Sequence, residues 1–124
     1  MRKRFQLILT ANNFKLLMKQ YFSKSLSVFN KRKLFTELND ASIVKDDALP
    51  LNVVQPGSKV LVRDISKRQT YTVQIAEENQ EARTLNKIPV NDPLSIALLG
   101  YGNGHRTEWE MPDGVHQFEI VSVS

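Results

Sequence analysis

The sequence contains no cysteine and no long apolar run. Without thiols there is no disulfide scaffold, no thiol nucleophile and no zinc site built on thiolates. The apolar stretch Phe5–Leu9 follows a basic start, residues 1–4, but it is only five residues long. The apolar core of a secretory signal takes roughly 7–15 residues and a membrane span about 18. We therefore expect a cytoplasmic protein with no export signal and no membrane association.

Side chains that carry out catalysis are few and scattered. His105 and His116 lack the spacing of a helical metal site and fit no Ser/His/Asp pattern, so we interpret both as partly exposed strand residues. The acid pairs Asp46–Asp47 and Glu77–Glu78 are typical of solvated segments. The glycine-rich run 100–104 follows a predicted helix and opens a strand, the reverse of a nucleotide-binding loop. The sequence thus predicts a non-enzymatic protein with no cofactor and no metal site.

Charge is unevenly distributed along the 124 residues. Residues 1–50 carry a net charge of +6 and residues 51–124 a net charge of −2. No acidic residue occurs between positions 10 and 36. A basic half joined to a slightly acidic half indicates two surfaces with different partners.

The first half of the chain is predicted to be helical. Thr10 or the pair Asn12–Asn13 can cap a helix, and apolar residues at helical spacing follow at Phe14, Leu17, Met18 and Tyr21. The serine-rich stretch 23–27 favours a turn, after which a second helical set comprises Leu34, Phe35, Leu38 and Ala41. Two short amphipathic helices predict an antiparallel hairpin, because neither buries its apolar stripe alone. The polar segment 45–50 predicts a linker, so we expect one domain at 1–50 and a second at 51–124.

The second half has the alternating pattern of a sheet. Strands are predicted at 59–63, 70–75, 105–111 and 115–123, with a short one near 88–90. Between them, Asp92 is a good helix N-cap, Pro93 suits the first helical position, and Gly100 suits a left-handed C-terminal position. We expect a small antiparallel sheet with one short helix.

The order and spacing of these motifs resemble the C-terminal domain of the Gre transcription elongation factors. The resemblance is carried by Gly57–Val60, Ile88–Pro93, Ile96–Gly100, Gly104, Pro112–Gly114 and Phe118–Ile120. It implies an α+β fold: a short N-terminal antiparallel helical hairpin followed by an FKBP-like antiparallel β-sheet domain with one short helix. It also implies docking at the rim of the secondary channel of bacterial RNA polymerase, through a loop that falls on Asn91, Asp92 and Pro93. The family usually has aspartate after the glycine where this chain has Gly104–His105, which affects the local turn.

The short hairpin is similar to that of relatives that include the regulator of nucleoside diphosphate kinase. Long Gre factors carry an acidic pair at the hairpin tip, which helps bind Mg²⁺ in the polymerase active site, and carboxylates are suited to that hard cation. Here the tip is basic, with Lys24, Lys31, Arg32 and Lys33. A helix of 12–15 residues also extends only ~18–23 Å. The resemblance therefore implies a monomeric transcription regulator that does not stimulate transcript cleavage.

Three other functions remain open from the sequence. The chain could be a transcript-cleavage elongation factor, or an adaptor that regulates a metabolic enzyme. It could also bind nucleic acid weakly through the basic hairpin, in which case the affinity would fall steeply with salt.

Overall fold

The computed structural model describes residues 6–77 and 86–124. The basic start of the chain and Glu78 of the second acid pair lie outside the described residues. In chain order the elements are β1 (Ile8–Thr10), α1 (Ala11–Tyr21), α2 (Val28–Asn39), β2 (Ser42–Val44), a 3-10 helix (Asp46–Ala48), β3 (Lys59–Asp64), β4 (Gln69–Ile75), β5 (Lys87–Ile88), α3 (Pro93–Leu98), β6 (Arg106–Met111) and β7 (Gly114–Val123). A helical hairpin followed by an antiparallel-rich sheet with one short helix confirms the expected α+β class.

Both helices of the hairpin begin at a side-chain cap. The hydroxyl of Thr10 accepts from the backbone N–H of Asn13, and that of Ser27 accepts from the N–H of Asn30, each at 3.1 Å. The ring of Tyr21, at the end of α1, lies 5.9 Å from that of Phe35, as the antiparallel arrangement requires. The second helix ends at Asn39, so the expectation that it includes Ala41 is wrong.

A two-stranded parallel sheet flanks the hairpin and was not predicted. β1 pairs with β2 in the register Ile8 to Ser42, and the N–H of Ile8 also donates to the carbonyl of Gly100 at 3.1 Å. This sheet fixes the entry and exit of the hairpin at one place on the domain. Strands of three residues joined across two helices leave almost no alternation in the sequence, which explains the omission.

The main sheet has the strand order β5-β4-β3-β7-β6. Its pairs are antiparallel except for β4 with β5, which is parallel, so the sheet is not antiparallel throughout. The four longer strands lie within one residue of their predicted limits. β6 is an edge strand, and this position shapes the site described below.

The short helix α3 forms as its end signals predict. The carboxylate of Asp92 accepts from the N–H of Leu94 at 2.9 Å, and Pro93 occupies the first turn. Gly100 has a φ of +88°, and a Cβ there would lie 2.8 Å from a methyl group of Leu9. Glycine is therefore required both for the left-handed turn and for the close approach of β1.

One hydrophobic cluster joins residues from both halves of the chain. Leu17, Leu34 and Leu38 of the hairpin belong to the same cluster as Val62 and Phe118 of the sheet. Segment 45–50 contains the 3-10 helix, and Leu49 within it is buried. Within the described residues, no helix is both long and apolar enough to cross a membrane.

Candidate functional site

The turn of the hairpin spans residues 22–27 and carries one charge. Lys24 is exposed there, between Ser23 and Ser25, whose hydroxyls are hydrogen-bonded to each other at 2.8 Å. Ser23 also accepts from the N–H of Ser25 and stabilises the turn locally. This arrangement presents an ammonium group, with no carboxylate in the turn, at the tip of the hairpin.

The three consecutive cations of α2 do not share one environment. Lys31 and Arg32 are exposed, and the ammonium of Lys31 lies 5.5 Å from the centre of the Tyr21 ring. Lys33 instead points toward the sheet, where its Nζ donates to Glu37 Oε1 at 2.6 Å and to the hydroxyl of Tyr101 at 2.7 Å. The solvent-facing cations of the tip are thus Lys24, Lys31 and Arg32, and the charge of Lys33 is used inside the fold.

Burial has the largest effect on the pKa values of Lys33 and Glu37. Loss of solvent lowers the pKa of Lys33, although the carboxylates of Glu37 and Glu108 oppose that shift. Loss of solvent likewise raises the pKa of Glu37 against the effect of Lys33. Both side chains are less than one-fifth exposed, so the pair fixes α2 against Tyr101 and is not a free docking charge.

The loop that precedes α3 presents its three predicted residues differently. Asn91 and Pro93 are exposed, whereas Asp92 is half-buried and its carboxylate caps α3. The loop is held by two further bonds to the carbonyl of Pro89, from the N–H of Asp92 at 3.1 Å and from the hydroxyl of Ser95 at 2.7 Å. Asn91 and Pro93 are therefore fixed in place and accessible to a partner.

The structure brings this loop and the turn of the hairpin together. A groove of about 430 Å³ lies between them, and Ser25, Ser27, Asn91 and Pro93 line its walls. Loop and turn thus form one surface, which we call the tip surface: Lys24–Ser27 with Asn91–Pro93. Beyond the turn, Lys31 and Arg32 add exposed positive charge on α2, and Arg32 lines the second groove described below.

A buried asparagine joins the hairpin to the edge of the sheet. The amide nitrogen of Asn30 donates to the carbonyl of Glu110 at 2.9 Å, and its amide oxygen accepts from the N–H of Glu110 at 2.7 Å. Asn30 is only 4% exposed. The amide of Asn30 therefore bonds to the backbone of β6 as a neighbouring strand would. We call this pair of hydrogen bonds the Asn30 clasp. Sequence reasoning missed it, although Asn30 shares a helical face with Leu34 and Leu38 at spacings of four.

His116 is buried, so the expectation of a partly exposed residue is wrong for this histidine; His105 is exposed. The two ring nitrogens of His116 contact Asp64 Oδ2 at 2.8 Å and Asp113 Oδ1 at 2.7 Å. Burial lowers the pKa of His116, but its hydrogen bonds to the two carboxylates outweigh burial and raise the pKa overall. An imidazolium donates to both carboxylates at once, so this cluster is a structural bridge between β3 and the turn before β7.

Within residues 6–77 and 86–124, no group of three or more histidine, aspartate or glutamate side chains is arranged to hold a metal ion. The candidate site comprises the tip surface, the exposed cations of α2 and two grooves beside α2.

Comparison with known proteins gives a consistent result for the second half of the chain. Residues 49–124 match the family model described as transcription elongation factor, GreA/GreB, C-term. The chain is 35% identical over 88 residues to transcription elongation factor GreA of Clostridium beijerinckii, covering 70% of this chain and 54% of that protein. It is 33% identical over 88 residues to GreA of Helicobacter hepaticus, covering 69% and 53% respectively. The chain spans about half the length of the curated relatives it matches.

A solved structure matches almost the whole chain. The protein described as prokaryotic transcription elongation factor GreA/GreB from Nitrosomonas europaea superposes with a TM-score of 0.66 at 24% identity, covering 98% of this chain and 99% of that chain. At this identity the likeness concerns the fold alone.

Proposed function

Because this chain belongs to the GreA/GreB family of transcription elongation factors, we propose that it binds bacterial RNA polymerase in the cytoplasm and regulates transcription. In this proposal the chain is a monomer, and the tip surface docks at the rim of the secondary channel. The basic hairpin occupies the channel entrance and competes there with longer members of the family. The observation that carries the proposal is the juxtaposition of the loop at Asn91–Pro93 with the turn of the hairpin across one groove.

The fixed geometry of the loop supports a docking role. The carboxylate of Asp92 is engaged by α3, so Asn91 and Pro93 are the accessible members of the motif. A loop held in place by Ser95 and Asp92 loses little conformational entropy when it binds. The proposal therefore assigns direct contact to Asn91 and Pro93 and a positioning role to Asp92.

The chemistry of the tip supports regulation without stimulation of transcript cleavage. The turn and both helices up to Thr36 contain no carboxylate, and Lys24, Lys31 and Arg32 face solvent. A second Mg²⁺ in a polymerase active site needs anionic oxygen ligands, which this tip does not offer. The helices have 11 and 12 residues, so the hairpin extends only ~16–18 Å.

Binding to the polymerase tests the docking proposal. Labelled protein is titrated with bacterial core RNA polymerase, with and without an excess of a long Gre factor. We expect micromolar or tighter binding that the long factor displaces, and Asn91→Arg should weaken it at least tenfold. Asn52→Arg makes the same exchange at an exposed position outside the tip surface and should bind normally. Absence of binding, or binding that the long factor does not displace, contradicts the proposal.

A second assay separates regulation from cleavage. Backtracked elongation complexes are incubated with the protein, and the release of short RNA is followed. We expect no acceleration over the polymerase alone, whereas acceleration at saturating protein would support the transcript-cleavage alternative.

Weak contact with nucleic acid through Lys24, Lys31 and Arg32 is assayed on single-stranded RNA, where affinity should fall steeply with added salt.

A further inference from the structure

The edge strand β6 has an outer side that β7 does not cover. In an antiparallel pair, residues alternate between those bonded to the neighbour and those whose backbone groups point away from it. The N–H of Ile120 bonds to the carbonyl of His105, so His105 is one of the residues bonded to β7. Thr107, two residues further on, pairs with Phe118 and is bonded to β7 in the same way. The backbone N–H and C=O groups of Arg106, Glu108 and Glu110 consequently point outward from the sheet.

Only one of these three outward residues has its backbone groups satisfied within the described part of the chain. The Asn30 clasp binds both the N–H and the C=O of Glu110. The outward groups of Arg106 and Glu108 have no hydrogen-bond partner among residues 6–77 and 86–124. Unpaired backbone groups on an edge are a template for another strand, and proteins usually block them with a short edge, a proline or a covering segment.

A groove of about 850 Å³ runs beside this open edge. One wall is α2, from Val28 to Glu37, and the other is β6 with the preceding His105. The ten residues from Val28 to Glu37 rise ~13 Å along the helix axis, which matches an extended segment of about four residues. This groove shares no lining residue with the smaller one at the tip surface, and the residues of the Asn30 clasp line only the smaller one, so the two sites are distinct.

The walls of the groove define what it would accept. Val28 and Phe29 are large apolar side chains with 70% and 39% exposure, and both line the groove. Arg32 and Arg106 are exposed cations on opposite walls, while Lys33 is already compensated by Glu37. Glu108 is the one exposed acid among the lining residues. The exposed charge favours an acidic occupant, and the apolar wall favours one that carries apolar residues at alternate positions.

We propose that the open edge of β6 binds an extended acidic segment of a partner protein, which adds to the sheet as a sixth strand in the groove beside α2. The backbone of the segment bonds to Arg106 and Glu108, its acidic side chains pair with Arg32 and Arg106, and its apolar side chains contact Val28 and Phe29. Strand addition of this kind gains affinity from backbone bonds and specificity from alternate side chains. The inference goes beyond the proposed function, because it concerns the groove on the far side of the clasp from Asn91.

Hydrogen exchange in the free protein tests whether the edge is open. The amide protons of Arg106 and Glu108 should exchange much faster than those of Thr107 and Trp109, which bond to β7. The amide of Glu110 should be slow because of Asn30. Slow exchange at both Arg106 and Glu108 would show that the edge is already covered and would overturn the proposal.

Binding of a designed peptide tests the occupant. The probe is a fluorescent hexapeptide that alternates glutamate with valine, titrated against the full chain by anisotropy. We expect saturable binding below about 1 mM and protection of the Arg106 and Glu108 amides. A lysine–valine peptide should bind at least tenfold more weakly, and an alternately N-methylated glutamate–valine peptide should not bind. No binding of the probe, equal binding of the lysine peptide, or undiminished binding of the N-methylated peptide each overturns the proposal.

Variants of β6 separate strand addition from simple charge attraction. Glu108→Pro removes the outward N–H without removing a bond to β7, and Glu108→Gln removes the same charge while keeping that N–H. We expect the first to abolish peptide binding and the second to retain it. Arg106→Glu, at an exposed position, should weaken binding at least tenfold whether or not the proline variant folds. Self-association that Glu108→Pro abolishes would assign the edge to a second copy of the chain and overturn the proposal.

Discussion

Removal of the Asn30 clasp should detach the hairpin from the sheet. Asn30→Ala removes two hydrogen bonds, of 2.9 and 2.7 Å, and leaves the N–H and C=O of Glu110 without their partner. Each bond contributes about 0.5–1.5 kcal/mol net, and Glu110 is half-buried, so water replaces the amide only in part. We expect the free energy of unfolding to fall by roughly 2–3 kcal/mol, and the Tm by about 6–15 °C for a chain of this size.

Two further variants test whether hydrogen bonding, and not packing, accounts for the loss. Asn30→Asp is nearly isosteric, but its carboxylate cannot donate to the carbonyl of Glu110, so at neutral pH it should destabilise at least as much as alanine. Asn39→Ala makes the alanine exchange at an exposed position of the same helix and should change stability by no more than about 0.5 kcal/mol.

The assay is urea unfolding of all three variants, followed by exchange of the Glu110 amide. In Asn30→Ala that amide should become as fast as those of Arg106 and Glu108. A loss of stability within about 0.5 kcal/mol of the Asn39→Ala value, or a Glu110 amide that stays slow, would refute the reasoning.

Three other perturbations follow from the structure. The pKa of His116 is raised in the folded state, so protonated His116 contributes stability that is fully present below the pKa of the unfolded chain. That stability is lost as the pH rises through the pKa of the folded chain. Urea unfolding from about pH 5 to about pH 9 should show this decline in the native chain and not in His116→Gln. The hydroxyl of Thr107 is buried with no partner among the described residues, so Thr107→Val should stabilise the chain by about 1 kcal/mol in urea unfolding, and a loss of stability would contradict that assignment. Gly100→Ala should lower the Tm, because a Cβ would lie 2.8 Å from Leu9 at a φ of +88°, whereas Gly104→Ala has the strained φ without the contact and should cost less.

The parts of the fold that were predictable from the sequence are those whose signals are local. The helix α3 was predicted nearly to the residue because Asp92, Pro93 and Gly100 each act within one turn of it. The longer strands were predicted because alternation extends over six or more residues. β1 and β2 were not, because three-residue strands paired across a separation of 34 positions leave no comparable pattern.

The limits of prediction at the candidate site have the same origin. Lys31, Arg32 and Lys33 look equivalent in sequence, and only the rotation of α2 against the sheet turns Lys33 toward Glu37 and Tyr101. Asn30 shares a helical face with Leu34 and Leu38, but the partner of its amide is not identifiable until β6 is known to be an edge strand beside it. His116 reads as one more strand residue, because Asp64 is 52 positions away in sequence. Each of these side chains takes its role from a partner that the topology supplies.

The contacts that hold α2 against β6 determine how binding at one proposed docking site affects binding at the other. Leu34 and Leu38 of α2 are buried in the shared core, and the pair Lys33–Glu37 fixes the same helix against Tyr101. With the Asn30 clasp added, α2 is held over about two and a half turns, so the hairpin has little freedom to move relative to the sheet. A substitution at one groove can then alter binding at the other mainly by displacing α2. The alanine substitution of Asn30 should accordingly weaken polymerase binding and peptide binding together, whereas Asn91→Arg should affect only the first and Arg106→Glu only the second.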